Sequence, residues 1–224
     1  MTHTISPSAA PAAPATAATT ASGASARGLL KCAVVAGPLF LAVGIAQGLT
    51  REGFDFTRNA ISQLSLGDPG WIQRVDFLVA GVLLIAGAVG MRRTSPQGPG
   101  HRAAPWLVGV FGVSFLVSAV FSADPGAGFP VGTPDSATPM LSAHGTVHML
   151  GGMIGYAALC AAFLVLARRF GAEGQRGWAI ACRVLPVAVL AGFAGSAVSV
   201  LSFTAGASLG LVGLAVVTAR RVRR

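Results

Sequence analysis

Charge is scarce in this sequence. Only 10% of its 224 residues are charged, whereas soluble domains carry roughly 25%. So little charge cannot coat a water-exposed surface, and 53% of the residues are hydrophobic, which excludes an ordinary soluble globule and a disordered polymer. Cysteine is scarce too. Cys32, Cys160 and Cys182 lie in apolar runs without metal-ligand spacing, which excludes a disulfide framework and favours packing roles.

Long apolar runs take up most of the chain and predict an all-α membrane protein, a bundle of six transmembrane helices. Crossing a bilayer core of about 30 Å takes roughly 20 residues. The last apolar run, residues 178–219, is long enough to cross twice and must fold back. The predicted hinge is 202–208, where serine, threonine and glycine interrupt the aliphatic pattern. The predicted spans are residues 29–49, 73–91, 105–123, 143–167, 178–201 and 203–219.

The two ends of the chain are predicted to lie outside this transmembrane domain, which covers residues 29–220. Residues 1–28 are rich in alanine, proline, serine and threonine and carry almost no charge. Because such a segment cannot bury apolar surface, it is predicted to be a disordered tail. Residues 221–224 form a basic end.

Charges of opposite sign separate across the predicted membrane. The six-span arrangement places 13 of the 16 basic residues on one side and six of the seven acidic residues on the other. Short loops rich in lysine and arginine stay cytoplasmic. Both termini are therefore predicted to be cytoplasmic, in the cell inner (plasma) membrane. The lipid bilayer is the expected partner of the arginines, and no nucleic-acid partner is expected.

Polar residues gather on the predicted outer side in three clusters. Asn59 and Ser62 lie in the loop before span two, and Asp76 lies inside that span, where a carboxylate is costly unless it is paired, protonated or facing water. Asp124 ends span three, where a local turn alone would account for it. Two histidines, His144 and His148, start span four and share one helical face.

The two histidines are compatible with a metal site. A catalytic zinc takes three protein ligands and an open position, and the only plausible additional ligands at this depth are Asp124 and Asp76. No HExxH motif supplies a glutamate as general base. The alternative is a pair of hydrogen-bonded structural histidines. Haem is disfavoured because the other histidines, His3 and His101, lie in the tail and in an inner loop.

Residues of the predicted outer side form a pattern that consists of Ile61-Ser62, Leu64-Ser65-Leu66-Gly67, Gly70-Trp71, Gln73, Phe77, Gly81, Asp124-Pro125, His144-Gly145 and His148. This pattern resembles a known family, the six-span bacterial and archaeal membrane proteins called domain of unknown function 998. The likeness covers about residues 30–220. It implies an architecture and a set of site residues but no reaction. Asp76 departs from the pattern, since the family is expected to carry a neutral amide there, which favours a hydrogen-bonding role.

Three functions follow from these observations. The leading hypothesis is an uncharacterised multi-pass membrane protein with an outward-facing polar pocket that binds a small polar ligand or a lipid headgroup. The first alternative is a metal-dependent hydrolase acting at the outer leaflet, with zinc held by His144, His148 and Asp124. A transporter is the second, although the inner halves of the spans offer little polar path. The predicted pocket is lined by Asn59, Ser62, Asp76, Asp124, His144 and His148.

Overall fold

Six α-helices dominate the computed structural model, which describes residues 15–95, 97, 101–135 and 141–223, with side chains from residue 25 onward. No strand occurs in these residues, and each α-helix is long and apolar enough to cross a membrane. The prediction of an all-α bundle with six membrane spans is confirmed. The helices are α1 (Ala15–Thr50), α2 (Gly70–Thr94), α3 (Ala103–Val120), α4 (Ala143–Ala172), α5 (Arg176–Gly195) and α6 (Val200–Val222), with a short 3₁₀ helix η1 (Ile61–Ser65) before α2.

Helix α1 begins earlier than predicted. It starts at Ala15, inside the segment predicted to be a disordered tail. Alanine is the strongest helix former, and the alanines from residue 15 onward favour a helix that starts ahead of the apolar run at Leu29. Residues 1–14 of the predicted tail, with His3, and Arg224 at the basic end lie outside the described residues.

The break between the last two helices also differs from the prediction. Helix α5 ends at Gly195 and α6 starts at Val200, so the hinge predicted at 202–208 lies inside α6. The Ser199 hydroxyl accepts a hydrogen bond from the Leu201 amide and caps the new helix. Within α6, the Ser208 hydroxyl donates to the Thr204 carbonyl at 2.7 Å. A serine satisfied in this way is tolerated inside a helix, which is why the polar run does not end one.

The helices form a closed ring in chain order. Each helix packs against the next, and α6 packs against α1. Neighbouring helices run antiparallel: Gly87 and Gly90 of α2 lie against Ala33 and Leu30 of α1, and the other neighbours pair in the same sense. The loops therefore alternate between two ends of the bundle. The long-loop end carries residues 51–69, 121–142 and 196–199. The arginine end carries residues 95–102 and 173–175 and the C-terminal end of α6.

Glycines bring the helix backbones close together at five of the six interfaces in this ring. A Cβ atom added at these glycines would lie within 3.0 Å of atoms on the neighbouring helix. Small residues allow such close approach, and the van der Waals contacts that result hold membrane helices together. The glycine contacts join Gly87 to Ala33, Gly81 to Gly112, Gly155 to Ser114, Gly192 to Gly206, and Gly37 to Leu211.

Large side chains fill the middle of the ring towards the arginine end. Leu159, Phe163 and Leu166 of α4 are fully buried, and Leu211 and Leu214 of α6 are buried with them. Towards the long-loop end, the phenylalanine rings of α1, α2 and α3 contact one another with centroids 5.0–5.6 Å apart. The ring is thus solid in one half and lined by aromatic side chains in the other.

The contact between α1 and α2 gives a direct test of this packing. A methyl group at Gly87 would overlap the backbone of Ala33, which cannot move aside. Gly87→Ala should therefore lower the free energy of unfolding by about 1–3 kcal/mol. Gly28 of α1 has open space around it, so Gly28→Ala should leave stability equal or higher. Thermal unfolding of detergent-purified protein compares the two, and equal melting temperatures would contradict the close contact.

Candidate functional site

A cavity of about 460 Å³ lies inside the ring, in the half next to the long-loop end. Its wall is largely aromatic and aliphatic, with contributions from all six helices and from η1. Three small residues form part of this wall, Gly152 on α4 and Ala207 and Ser208 on α6. The larger lining side chains are Phe40, Leu41, Ile61, Phe77, Phe115, Met149, Met153, Tyr156, Phe193, Val200, Phe203 and Leu211.

Polar groups interrupt this apolar wall. Ser62, Ser118, His148 and Tyr156 all line the cavity, and within the described residues the hydroxyls of the two serines and the tyrosine have no hydrogen-bond partner. His148 Nδ1 lies 2.9 Å from the Phe121 carbonyl oxygen. Because a carbonyl only accepts, Nδ1 carries the proton, and in the neutral ring Nε2 is an acceptor. The cavity therefore offers hydroxyl groups and an imidazole nitrogen to a ligand.

The cavity reaches the surface of the bundle beside α4. The exposed fractions of Met149 and Met153 are 55% and 56%, and Ser196 of the α5–α6 turn is exposed as well. All three residues line the cavity. Its opening is therefore on the flank of the bundle, where a membrane protein contacts lipid chains.

Of the six residues predicted to line a polar pocket, only Ser62 and His148 line this cavity. Asn59 is fully buried in the loops instead. Its amide nitrogen approaches the carbonyls of Gly126 and Ala127 at 3.3 and 3.4 Å, and its amide oxygen accepts from the Asp55 amide. Asn59 thus ties the loop after α1 to the loop after α3.

Asp124 holds the start of α4. One carboxylate oxygen accepts from the Ser142 amide at 3.0 Å and the other from the Ser142 hydroxyl at 2.5 Å. The same hydroxyl accepts from the Gly145 amide. A Cβ atom at position 145 would overlap the Asp124 carboxylate, so glycine is required there. A negative charge beside a helix N-terminus is favourable, and the arrangement gives Asp124 a capping role.

Asp76 lies between α1 and α2, buried and outside the cavity lining. Gln73 Nε2 approaches Asp76 Oδ2 at 3.4 Å, and Gln47 Nε2 donates to Gln73 Oε1 at 2.7 Å. The three side chains form a buried polar chain that links the two helices. Arg74 is exposed and faces away from it. The neighbour of Asp76 in this chain is therefore an amide rather than a cation.

The two histidines have different surroundings. His148 is buried, whereas His144 is exposed with its ring centroid 5.2 Å from that of Phe121. The carboxylate oxygens of Asp124 are bound to Ser142. Among the described residues, no three histidine, cysteine, aspartate or glutamate side chains lie close enough to hold a metal ion. Within that part of the chain, the three-ligand set that a catalytic zinc needs is not assembled.

Arg51 is a structural residue that sequence reasoning did not single out. Its guanidinium donates to the carbonyls of Leu64 and Leu66 at 3.1 and 2.7 Å, and it lies 5.2 Å from the centroid of the Phe129 ring. Partial burial lowers the pKa of this guanidinium below its ordinary value. Arg51 thereby fastens η1, which forms part of the cavity wall, to the end of α1 and to the loop after α3.

Tyr156 and Ser118 of the cavity lining were also not singled out from the sequence. Tyr156 is the only tyrosine in the chain, and its position in an apolar span is a signal that could have been used. Ser118 carried no such signal, because an isolated serine is common in membrane helices. The aromatic lining residues look like ordinary core residues in sequence.

Comparison with known proteins supports the resemblance seen in the sequence. The family described as "Protein of unknown function (DUF998)" matches residues 34–219, which is most of the chain. This protein belongs to the DUF998 family. The match covers all six helices apart from the first part of α1 and the last residues of α6. No curated protein and no solved structure matches the chain.

The cap on α4 makes a measurable prediction for this DUF998 protein. Asp124→Ala removes two acceptors and a favourable charge at the helix start, and should lower the free energy of unfolding by about 1–2 kcal/mol. Asp135→Ala is the matched control, because Asp135 forms an exposed ion pair with Arg58, which contributes about 0–1 kcal/mol. Both are measured by thermal unfolding in one detergent. A wild-type melting temperature for Asp124→Ala would exclude the capping role.

Proposed function

We propose that this protein binds an amphipathic lipid in the cavity near the long-loop end. The observation that supports this is an internal space of about 460 Å³ whose wall is largely apolar but also carries unpartnered polar groups. Ligand sites typically enclose about 300–1,000 Å³, with an apolar lining and a few polar groups that orient the ligand. The leading hypothesis from the sequence is thereby narrowed from a polar pocket to an amphipathic one.

The apolar part of the ligand would occupy the space between the aromatic side chains. Phe40, Phe77 and Phe115 form one side of the cavity, and Phe193 and Phe203 form another. Met149 and Met153 lie between them and the outside. Methionine side chains adapt to irregular apolar ligands. The polar groups of a fully polar ligand would find no hydrogen-bond partners on this apolar surface, and burying them there would cost free energy. An acyl chain has no such groups, which favours a lipid.

The polar part of the ligand would lie near His148, Ser62 and Ser118. The two serine hydroxyls can donate a hydrogen bond to an ester, carboxyl or phosphate oxygen. Nε2 of the neutral His148 ring can accept a hydrogen bond from a hydroxyl or amine group. A headgroup that has both an acceptor and a hydroxyl or amine donor satisfies this set. Burying these side chains without partners would otherwise cost free energy, so the ligand supplies the missing hydrogen bonds.

Orientation follows from the distribution of basic residues. The arginine end carries Arg92, Arg93, Arg102, Arg168, Arg169, Arg176, Arg220 and Arg221, whereas the long-loop end carries most of the acidic residues. By the positive-inside rule, the long-loop end faces outward across the plasma membrane. The cavity would then receive a lipid from the outer leaflet through the opening beside α4.

The two alternatives have less support. A zinc hydrolase needs a third protein ligand beside two histidines, and Asp124 is already bound to Ser142. A transporter needs a polar path across the bilayer, but Leu159, Phe163 and Leu214 fill the ring below the cavity. Lipid binding requires neither feature.

Blocking the cavity tests the proposal. Gly152 lines the cavity and has no atom within 4 Å of an added Cβ, so Gly152→Leu places a side chain in the ligand space without straining the backbone. Gly171 lies on the same helix, also in open space, and does not line the cavity, so Gly171→Leu is the control. Mass spectrometry of co-purifying lipid should show a loss of about tenfold or more for Gly152→Leu only. Equal lipid content in both variants would overturn the proposal.

A second variant tests the polar group. His148→Asn keeps an amide N–H in the place of Nδ1, so the bond to the Phe121 carbonyl is retained, but it removes Nε2. One lost hydrogen bond of about 1 kcal/mol corresponds to roughly a fivefold weaker affinity for the co-purified lipid. The melting temperature of the lipid-free protein should not change. Unchanged affinity would show that Nε2 does not contact the headgroup.

A further inference from the structure

A second apolar groove lies on the outside of the bundle, between α2 and α3 at the arginine end. Its volume is about 480 Å³, and it shares no lining residue with the internal cavity. Ile85 and Val89 of α2 and Val110 and Val113 of α3 form its apolar walls. The groove faces the surroundings rather than another helix of the ring, since Val89 and Val113 are 39% and 50% exposed.

Two arginines stand at the end of this groove. Arg92 follows the apolar wall of α2, and Arg102 precedes that of α3. Both are exposed, and within the described residues neither forms an ion pair or a hydrogen bond through its side chain. Two arginines outside the groove at this end are engaged, because Arg169 pairs with Glu173 and Arg221 donates to Ser95. The guanidinium groups at the groove are therefore available to an anion.

The lower part of the groove is kept open by a glycine. An added Cβ at Gly109 would meet only Ala88 Cβ at 3.9 Å, an ordinary contact. Trp106, which is 69% exposed, forms the rim. Tryptophan favours the headgroup level of a bilayer. Along the groove, the apolar walls come first, then Trp106 at the rim, then the guanidinium groups of Arg92 and Arg102. A phospholipid presents its acyl chain, glycerol and phosphate in the same order.

We infer that this groove binds one anionic phospholipid, with an acyl chain between α2 and α3 and the phosphate between Arg92 and Arg102. The charge selects the lipid: the adjacent Arg93 adds a third positive charge at this end, which disfavours the ammonium group of a zwitterionic headgroup. Arginine binds phosphate oxygens in a bidentate way. The site is independent of the proposed function, because it lies on a different surface.

Native mass spectrometry of the full chain in detergent tests this site, with phosphatidylglycerol as the probe and phosphatidylethanolamine as the zwitterionic comparison. We expect one tightly retained phosphatidylglycerol and weaker retention of phosphatidylethanolamine. Removing both charges in Arg92→Gln/Arg102→Gln should raise the Kd for phosphatidylglycerol by about tenfold or more. The matched control is Arg168→Gln/Arg176→Gln, which removes two exposed arginines of the same end outside the groove and should leave that Kd within about twofold.

A variant of the groove itself separates the site from a general attraction to charge. Gly109→Leu fills the groove and keeps every arginine, so it should weaken phosphatidylglycerol binding as strongly as the double arginine variant. Gly177→Leu, at the same end and in open space, should not. Equal effects of the two double arginine variants, equal retention of the two lipids, or unchanged binding by Gly109→Leu would each overturn the inference. The Gly152→Leu variant should bind phosphatidylglycerol normally, so failure of the internal site is distinguishable from failure of this one.

Discussion

Close backbone contact between neighbouring helices is the constraint on which the rest of this structure depends. Lipid chains are as apolar as leucine, so apolar surface alone does not drive membrane helices together, and tight van der Waals contact must do so. Here a glycine supplies that contact at five of the six interfaces in the ring. Because α6 returns to α1, no helix is left at an open edge, and each is held from two sides. The close spacing also decides how much room remains in the middle, since helices held this near one another leave space only where the inward side chains are small.

The internal cavity follows from that rule. Where α4 and α6 present Gly152 and Ala207, the centre of the ring is hollow, and one or two turns further on, Leu159 and Leu211 close it. The loops complete the enclosure at the other end. Arg51 fastens η1 beneath the loops, and Asn59 joins two connections that are far apart in sequence. Most polar residues at this end of the molecule therefore hold the loops that enclose the cavity. A few others, such as Ser62 and His148, line the cavity itself.

Much of the fold was predictable from the sequence, because hydropathy over windows of about 20 residues reports directly on the ability of a helix to cross a bilayer. The position of the turn between α5 and α6 was not predictable in this way. Serine and threonine hydroxyls can donate to a carbonyl of the preceding helical turn, so a run of these residues does not have to end a helix. The lining of the cavity was predicted only in part. Polar residues on one side of the membrane identified Ser62 and His148, but Asn59 and Asp124 have partners in distant loops that no spacing rule reveals. The aromatic lining residues could not be predicted either. In the sequence of a membrane span, an aromatic residue that lines a cavity looks the same as one that faces lipid or the packed core.

The ring closure has a consequence for biosynthesis. Chains are made from the N-terminus, and earlier segments begin to associate before later ones emerge. Helices α1 to α5 can therefore assemble only as an open arc, in which the inward side of α1 around Gly37 has no partner until α6 arrives. Helix α6, which is synthesised after the other five helices, supplies Phe203, Thr204 and Ala207 to the cavity wall. The cavity is therefore complete only once α6 has packed against α1, and it cannot enclose a molecule before that.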